Sequence, residues 1–241
     1  MNDQQESETY TTKKSIVLHL APGILTGAFY FLIREPLHKT GYPSLFALML
    51  AVAFVIVPIE LGYLLYKGKQ KNGRYTLKGI ISYRESISIW QYLLWSSLVF
   101  VVIGLIFTLM KPVDSFLQEK LFSWVPKLEN GLDGNYLKMH LTITYIMTLV
   151  FGAIIAPLVE ELYFRGYLLP RMTGKFSNLR HSLLFAAYHV FTPWMLITRT
   201  IGVLPLIYAV KKKNIYIGIT VHVLVNSIDA VMGFAFIAGM N

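Results

Sequence analysis

The sequence predicts an all-α protein in which residues 1–241 form a single helical membrane domain. Hydrophobic residues make up 55% of the chain and charged residues only 15%, whereas a soluble domain carries about 25% charged residues. Several apolar runs also have a length close to the roughly 20 residues that a helix needs to cross a bilayer. We therefore predict an integral membrane protein with about seven transmembrane helices around a polar site, and eight is the alternative count.

Seven apolar runs are predicted as spans or parts of spans. They are Ile16–Ile33, Ser44–Tyr66, Ile87–Met110, Leu141–Leu169, His181–Thr198, Thr200–Val210 and Asn214–Ala238. The run Thr200–Val210 is too short to cross unaided, so it is either a re-entrant piece or a continuation of the helix before it. Pro157, Pro193 and Pro205 predict kinks or breaks in the later spans.

The composition excludes several classes of protein. The chain contains no cysteine, so disulfides, thiolate metal sites and a cysteine nucleophile are absent. No small-residue cleavage site separates the first run from Arg34, so this run is predicted to be a retained span rather than a signal peptide. The net charge of +9 is better explained by cytoplasmic loops than by nucleic acid. The expected surroundings are therefore the lipid bilayer.

The placement of Lys and Arg predicts the orientation. Basic residues crowd three segments, while the loop Lys111–His140 balances its charges. If the chain starts inside and crosses the membrane at every run, all three basic segments lie inside and the balanced loop lies outside. We predict the plasma membrane, with the amino terminus cytoplasmic. The basic residues are Lys67, Lys69, Lys71, Arg74, Lys78 and Arg84, then Arg165, Arg171, Lys175 and Arg180, then Lys211, Lys212 and Lys213.

Two adjacent glutamates lie inside the fourth apolar run, in the pattern Glu160-Glu161-x-x-x-Arg165. A charged carboxylate at the centre of a membrane helix costs at least about 2.5–3.5 kcal/mol. Glu161 and Arg165 are four residues apart and share a helix face, which predicts a structural ion pair. Glu160 points about 100° around the helix axis from Glu161, so it is available for a different role. Glu60, near Pro58, belongs to no motif and is interpreted as structural or interfacial.

Two further pairs of residues, each with a histidine, have the same one-turn spacing. Phe185 precedes His189 by four residues in the predicted fifth span, and His222 precedes Asn226 in the last. A lone intramembrane histidine is more often a packing or hydrogen-bonding residue than a catalyst. However, a glutamate and a histidine that converge can deprotonate a water, and a histidine with an amide can stabilise an oxyanion. The set therefore favours acyl-transfer hydrolysis.

These three motifs together resemble the signature of a known membrane family. They read Glu160-Glu161-Leu-Tyr-Phe-Arg165-Gly166, Phe185-Ala-Ala-Tyr-His189 and His222-Val-Leu-Val-Asn226. This is similar to the CAAX protease and bacteriocin-processing intramembrane proteases, which are related to the type II CAAX prenyl endopeptidases. The resemblance covers residues 160–226, and its eight-span members account for the alternative count. The amino-terminal half is similar only in being hydrophobic and helical.

The resemblance implies an endopeptidase that acts on a peptide or protein substrate, lipidated or membrane-bound. It implies that Glu160 and His189 activate the attacking water. His222 and Asn226 would then stabilise the oxyanion, while Glu161 and Arg165 would order the site.

Glu160 is only five residues before Arg165, which begins a basic segment assigned to the inside. With the membrane boundary at Arg165, we expect the scissile bond near the cytoplasmic membrane face.

The family has been described both as metalloproteases and as metal-independent glutamate peptidases. Glu160, His189 and His222 could supply the three protein ligands of a zinc site. The zincin pattern His-Glu-x-x-His is absent. We predict a glutamate-activated water without metal or other cofactor, and bound zinc is the alternative.

Two other functions remain as alternatives. The first is a non-catalytic immunity or scaffolding protein of the same fold, which is disfavoured because every expected catalytic position is occupied. The second is a proton-coupled transporter with a Glu and His relay, which is disfavoured because the chain lacks duplicated halves. A serine hydrolase is disfavoured because no Gly-x-Ser-x-Gly elbow is present.

Overall fold

The computed structural model describes residues 9–240, and every regular element in this range is helical. Six of the helices are long and apolar enough to cross a membrane, and α5 is the exception. The predicted all-α, polytopic fold is therefore confirmed. The helices are α1 Thr12–Lys39, α2 Ser44–Asn72, α3 Ile89–Lys120, α4 Lys138–Arg171, α5 Ser177–Tyr188, α6 Leu196–Lys212 and α7 Ile215–Ala238.

Helices α2 and α4 are long rods with widened turns. Val52–Ile56 in α2 and Thr148–Ile155 in α4 are π-helical, and Pro58 and Pro157 follow these segments closely. Proline cannot donate the backbone hydrogen bond of its turn, and a π-helical turn is one way in which a helix accommodates an irregularity. The expected disruption at Pro157 is thus a widened turn, and α4 continues through it.

The predicted fifth span, His181–Thr198, is wrong. Helix α5 ends at Tyr188, and the chain turns before α6 begins at Leu196. Pro193 explains the break, because proline pushes the residue before it into extended conformations, and Thr192 indeed has φ −139° and ψ 59°. Residues 196–199 therefore belong to α6. With 17 residues, α6 is longer than the predicted Thr200–Val210 piece.

The loops separate by charge to the two ends of the bundle. At one end, which we call the basic end, Tyr10 N–H donates to the Arg171 carbonyl at 2.8 Å and Ile215 N–H to the Tyr83 carbonyl at 2.7 Å. At the other end, Leu45 N–H donates to the Glu129 carbonyl at 3.0 Å. The lysine-rich and arginine-rich segments thus share one end, as the charge pattern predicts.

Helix α4 lies at the centre of the fold. It packs against α2 on one side and against α7 on another, while α5 packs between α1 and α6. Arg165 is the exception to the predicted charge distribution. It is fully buried inside α4, and the helix runs on to Arg171 before the basic end. The polar residues of α4 therefore lie deeper than a boundary at Arg165 would place them.

A close contact between α1 and α5 gives a stability prediction. A Cβ added at Gly23 would overlap the Tyr188 carbonyl oxygen, whereas one at Gly62 of α2 would meet nothing within 4 Å. Gly23→Ala should destabilise the protein by about 1–3 kcal/mol through overpacking. Gly62→Ala should be neutral, or stabilising by about 0.5–1 kcal/mol. Thermal unfolding in detergent measures both, and equal melting temperatures for the two variants would contradict the packing.

Candidate active site

The centre of α4 carries the three charged residues of the first motif. Glu160 is 6% exposed, and Glu161 and Arg165 are 0% exposed. Glu161–Leu168 is a further π-helical segment, and π-helical turns occur frequently at functional sites. Because unpaired charges in a bilayer are costly, the partners of these groups determine what the site can do.

Glu161 and Arg165 form the predicted ion pair. Arg165 Nη1 lies 3.1 Å from Glu161 Oε1, with both side chains fully buried. The guanidinium also stacks over the Phe185 ring of α5, with its carbon 3.8 Å from the ring centroid. None of the guanidinium nitrogens has hydrogen-bonding geometry to a described residue, so the contact is mainly a Coulombic one. The pair fixes the first motif against the second.

His222 of α7 lies between the two glutamates. Its Nδ1 is 3.0 Å from Glu161 Oε1, and its Nε2 is 3.9 Å from Glu160 Oε2. A carboxylate can only accept a hydrogen bond, so Nδ1 carries the hydrogen. Glu160 and Glu161 diverge around the helix, as their sequence positions predict, yet both reach the same imidazole. The first and third motifs therefore converge.

His189 follows the last residue of α5 and lies on a turn rather than on a spanning helix. Its Nδ1 is 3.0 Å from the Phe185 carbonyl oxygen, so Nδ1 is the donor and the Nε2 of the neutral ring is free to accept. The Phe185 ring separates the two histidines, with centroids 5.0 Å from His189 and 6.3 Å from His222. His189 and His222 thus lie on the same aromatic ring, and the predicted position of His189 inside a spanning helix is wrong.

Asn226 connects α7 to the widened part of α4. Its Nδ2 donates to the Gly152 carbonyl at 2.9 Å, inside the π-helical segment Thr148–Ile155. One amide hydrogen remains for another acceptor. The Asn226 side chain thus fixes the register of α7 against α4 and retains a donor.

The donor set does not fit a metal site. Among residues 9–240, no group of three His, Asp or Glu side chains is arranged so that it could hold a metal ion. Glu160, His189 and His222 do not form a three-ligand group. We therefore derive no step through a metal.

Two charged residues near the site fall outside the motifs. Glu60 of α2 is fully buried and interacts electrostatically with Glu160, so the interfacial interpretation is wrong. Arg199 of α6 donates to the Thr192 hydroxyl at 2.8 Å, and its charge acts on both Glu160 and His189. A charge inside an apolar run is a functional hypothesis by default. This signal was available for Glu60, whereas Arg199 lies between two predicted runs.

Comparison with known proteins agrees with the motifs. Residues 142–228 match the family model described as type II CAAX prenyl endopeptidase Rce1-like. The matched segment contains all three motifs, so the resemblance predicted from them is confirmed at family level. No curated protein and no solved structure matches the chain. The helices are those of an integral membrane protein, and residues 142–228 are similar to the CAAX prenyl endopeptidase family.

The buried ion pair gives a second prediction. Arg165→Met leaves Glu161 without its guanidinium partner and should destabilise the protein by about 3–5 kcal/mol. The double variant Glu161→Gln with Arg165→Met removes both charges and should recover most of this loss. The exposed Lys175→Met is the control, with a change of about 0.5 kcal/mol or less. Thermal unfolding in detergent measures the stability of all three variants. If Arg165→Met is as stable as the control Lys175→Met, the ion pair is refuted.

Proposed function

We propose that this protein is an intramembrane endopeptidase of the CAAX prenyl protease type, which hydrolyses a peptide bond with a water activated by Glu160. The observation that carries the proposal is the position of His222, with Nδ1 held by Glu161 and Nε2 facing Glu160 at 3.9 Å. Glu160 as the base and His222 as the hydrogen-bond donor are then neighbours in a buried site. This is the pair of functions that acyl-transfer hydrolysis needs.

The two histidines are suited to different tasks. His189 donates through Nδ1 to a backbone carbonyl, which leaves Nε2 as an acceptor that can orient a water. His222 has a carboxylate at each ring nitrogen, Glu161 at Nδ1 and Glu160 at Nε2, and the proposed mechanism uses its doubly protonated form. An imidazolium presents a second N–H at Nε2. His189 therefore acts with Glu160 on the water, and His222 acts on the oxyanion.

The reaction then proceeds in two proton transfers. Glu160 removes a proton from the water as the water oxygen attacks the peptide carbonyl carbon, and the carbonyl oxygen becomes an oxyanion. His222 Nε2–H and the second amide hydrogen of Asn226 donate to this oxygen. Glu160 returns its proton to the nitrogen of the scissile bond, the C–N bond breaks, and a carboxylic acid and an amine leave.

The depth of the site favours a substrate with an apolar part. At 1.5 Å rise per residue, Glu160 lies about 16 Å along the helix from Arg171, and His222 about 13 Å from Lys213. Both residues are thus near the middle of a bilayer whose apolar core is about 30 Å thick. A lipidated or otherwise membrane-bound peptide can rest its apolar part in the bilayer and reach Glu160 from the basic end.

The role of Glu160 gives the third prediction. Glu160→Gln keeps the shape of the side chain but removes the base, so peptide hydrolysis should fall by about 10²-fold or more. Cleavage of farnesylated and unmodified peptides of the Cys-aliphatic-aliphatic-X type is followed by mass spectrometry in detergent. The exposed Glu119→Gln is the matched control and should retain wild-type turnover.

Both variants and the wild type are also assayed after exhaustive chelation, since water activation by Glu160 and His189 needs no metal. Near-normal turnover by Glu160→Gln would overturn the assignment of the base. Activity that is lost on chelation and regained with zinc would overturn the metal-free mechanism.

We further propose that the basic end faces the cytoplasm, because positively charged loops are retained there. The chain has no cysteine, so single cysteines report the orientation without background. An impermeant thiol reagent added to intact cells should label Lys127→Cys, in the loop at the opposite end. Lys212→Cys should react only after permeabilisation. The reverse pattern would refute both the orientation and the cytoplasmic approach of the substrate.

A further inference from the structure

Arg199 lies in the first turn of α6, where neither the membrane nor the helix favours a cation. The helix begins at Leu196, and the apolar, span-length segment Pro193–Lys212 includes Arg199. The amino-terminal end of a helix carries a partial positive charge, so a second positive charge is unfavourable there. Ionisable residues inside membrane spans are rare and indicate a functional role by default. The contacts of the guanidinium therefore show what Arg199 does.

The guanidinium of Arg199 holds Thr192 at two points. Nη1 donates to the Thr192 hydroxyl at 2.8 Å and to the Thr192 carbonyl at 3.3 Å. Thr192 is buried, and its own N–H donates to the His189 carbonyl at 3.0 Å. An unbroken series of hydrogen bonds thus leads from α6 to the backbone of His189.

The turn His189–Thr192 is irregular backbone in the interior of a membrane protein, and such backbone needs partners within the protein. On one side the turn packs against α1, since Phe191 faces the Tyr30 ring and a Cβ added at Gly27 would overlap Val190. On its polar side, Arg199 is the one side chain among residues 9–240 that donates hydrogen bonds to the turn. Hydrogen bonds from a charged donor are roughly twice as strong as neutral ones. Arg199 is thus the polar anchor of this turn.

The position of His189 depends on two separate contacts. The bond from Nδ1 to the Phe185 carbonyl, at 3.0 Å, fixes the orientation of the ring. The backbone of His189 follows α5 and is not part of that helix, so its place depends on the turn that Thr192 closes.

We propose that Arg199 is a positioning residue, which holds the turn His189–Thr192 so that His189 keeps its place on the Phe185 ring. The role rests on the hydrolysis proposed above, in which Nε2 of His189 orients the water. Arg199 acts through Thr192 and needs no contact with the substrate. A displacement of about 1 Å in a catalytic group can cost 10²-fold in rate, so loss of the anchor affects turnover more than substrate binding.

Substitutions at both ends of the contact test the role in the peptide assay. Arg199→Met removes both hydrogen bonds and should lower kcat by about 10- to 100-fold with KM unchanged. Thr192→Val removes the hydroxyl and should lower kcat less, whereas Thr192→Ser retains the hydroxyl and should restore kcat. Combining Arg199→Met with Thr192→Val should lower kcat no further than Arg199→Met alone, because both act on one contact. Thr200→Val is the matched control, since the Thr200 hydroxyl donates to the Leu196 carbonyl within α6.

Hydrogen exchange tests the anchor without any substrate. The backbone amides of residues 189–195 are followed by mass spectrometry in detergent. Arg199→Met should speed their exchange by about 10-fold or more, because a hydrogen bond to a charged group is lost. Amides in α7 should exchange as in the wild type, and Thr200→Val should leave both regions unchanged.

Four results would overturn the positioning role. Unchanged exchange of the turn in Arg199→Met would show that the guanidinium does not hold it, and any loss of turnover would then come from its charge. Faster exchange throughout the protein would show a general loss of stability. Wild-type kcat in both Arg199→Met and Thr192→Val would show that the turn does not limit turnover. A raised KM with unchanged kcat would show that Arg199 contacts the substrate instead.

The exchange and the kinetics distinguish two kinds of failure. If the wild type cleaves no peptide, the proposed function fails. The exchange of residues 189–195 then shows on its own whether Arg199 holds the turn.

Discussion

The site depends on a single carboxylate, that of Glu161. It is fully buried, and two cationic or hydrogen-donating groups converge on its Oε1, Arg165 at 3.1 Å and His222 at 3.0 Å. Each contact joins two parts of the chain, because Arg165 stacks on Phe185 of α5 and His222 belongs to α7. Without Glu161, a guanidinium would be left uncompensated in the bilayer. The residue beside the proposed base is therefore the one that assembles the site.

Widened helical turns place the polar residues around this centre. The carbonyl of Gly152, in a π-helical segment of α4, accepts from Asn226. The segment Val52–Ile56 of α2 precedes Glu60, and a third begins directly after Glu160. A regular α-helix uses almost every interior carbonyl within its own ladder. The irregular turns of α2 and α4 thus allow helices to exchange hydrogen bonds at a depth where water is scarce.

Much of the fold and most of the site could be predicted from the sequence, because both depend on local periodicity. A four-residue spacing defines one helix face, and this identified the Glu161–Arg165 pair and the His222–Asn226 pair without coordinates. The turn at His189 was not predicted, since Pro193 acts on the chain before it and an apolar run hides the break. Glu60 and Arg199 were missed because their partners are distant in sequence, and no spacing rule connects them. The roles assigned to the site residues stay predictions until activity is measured.

The short helix α5 has a consequence for where the two ends of the chain lie. Although α5 cannot cross alone, the turn after it continues in the same direction. Phe191 reaches Tyr30 of α1, with ring centroids 6.3 Å apart, and Thr198 donates to Asp114 near the far end of α3. The backbone therefore traverses the bundle an odd number of times, and residues 9 and 240 lie at its opposite ends. Fluorescent or enzymatic reporters joined at these two positions would always sense opposite environments, whichever way the protein inserts.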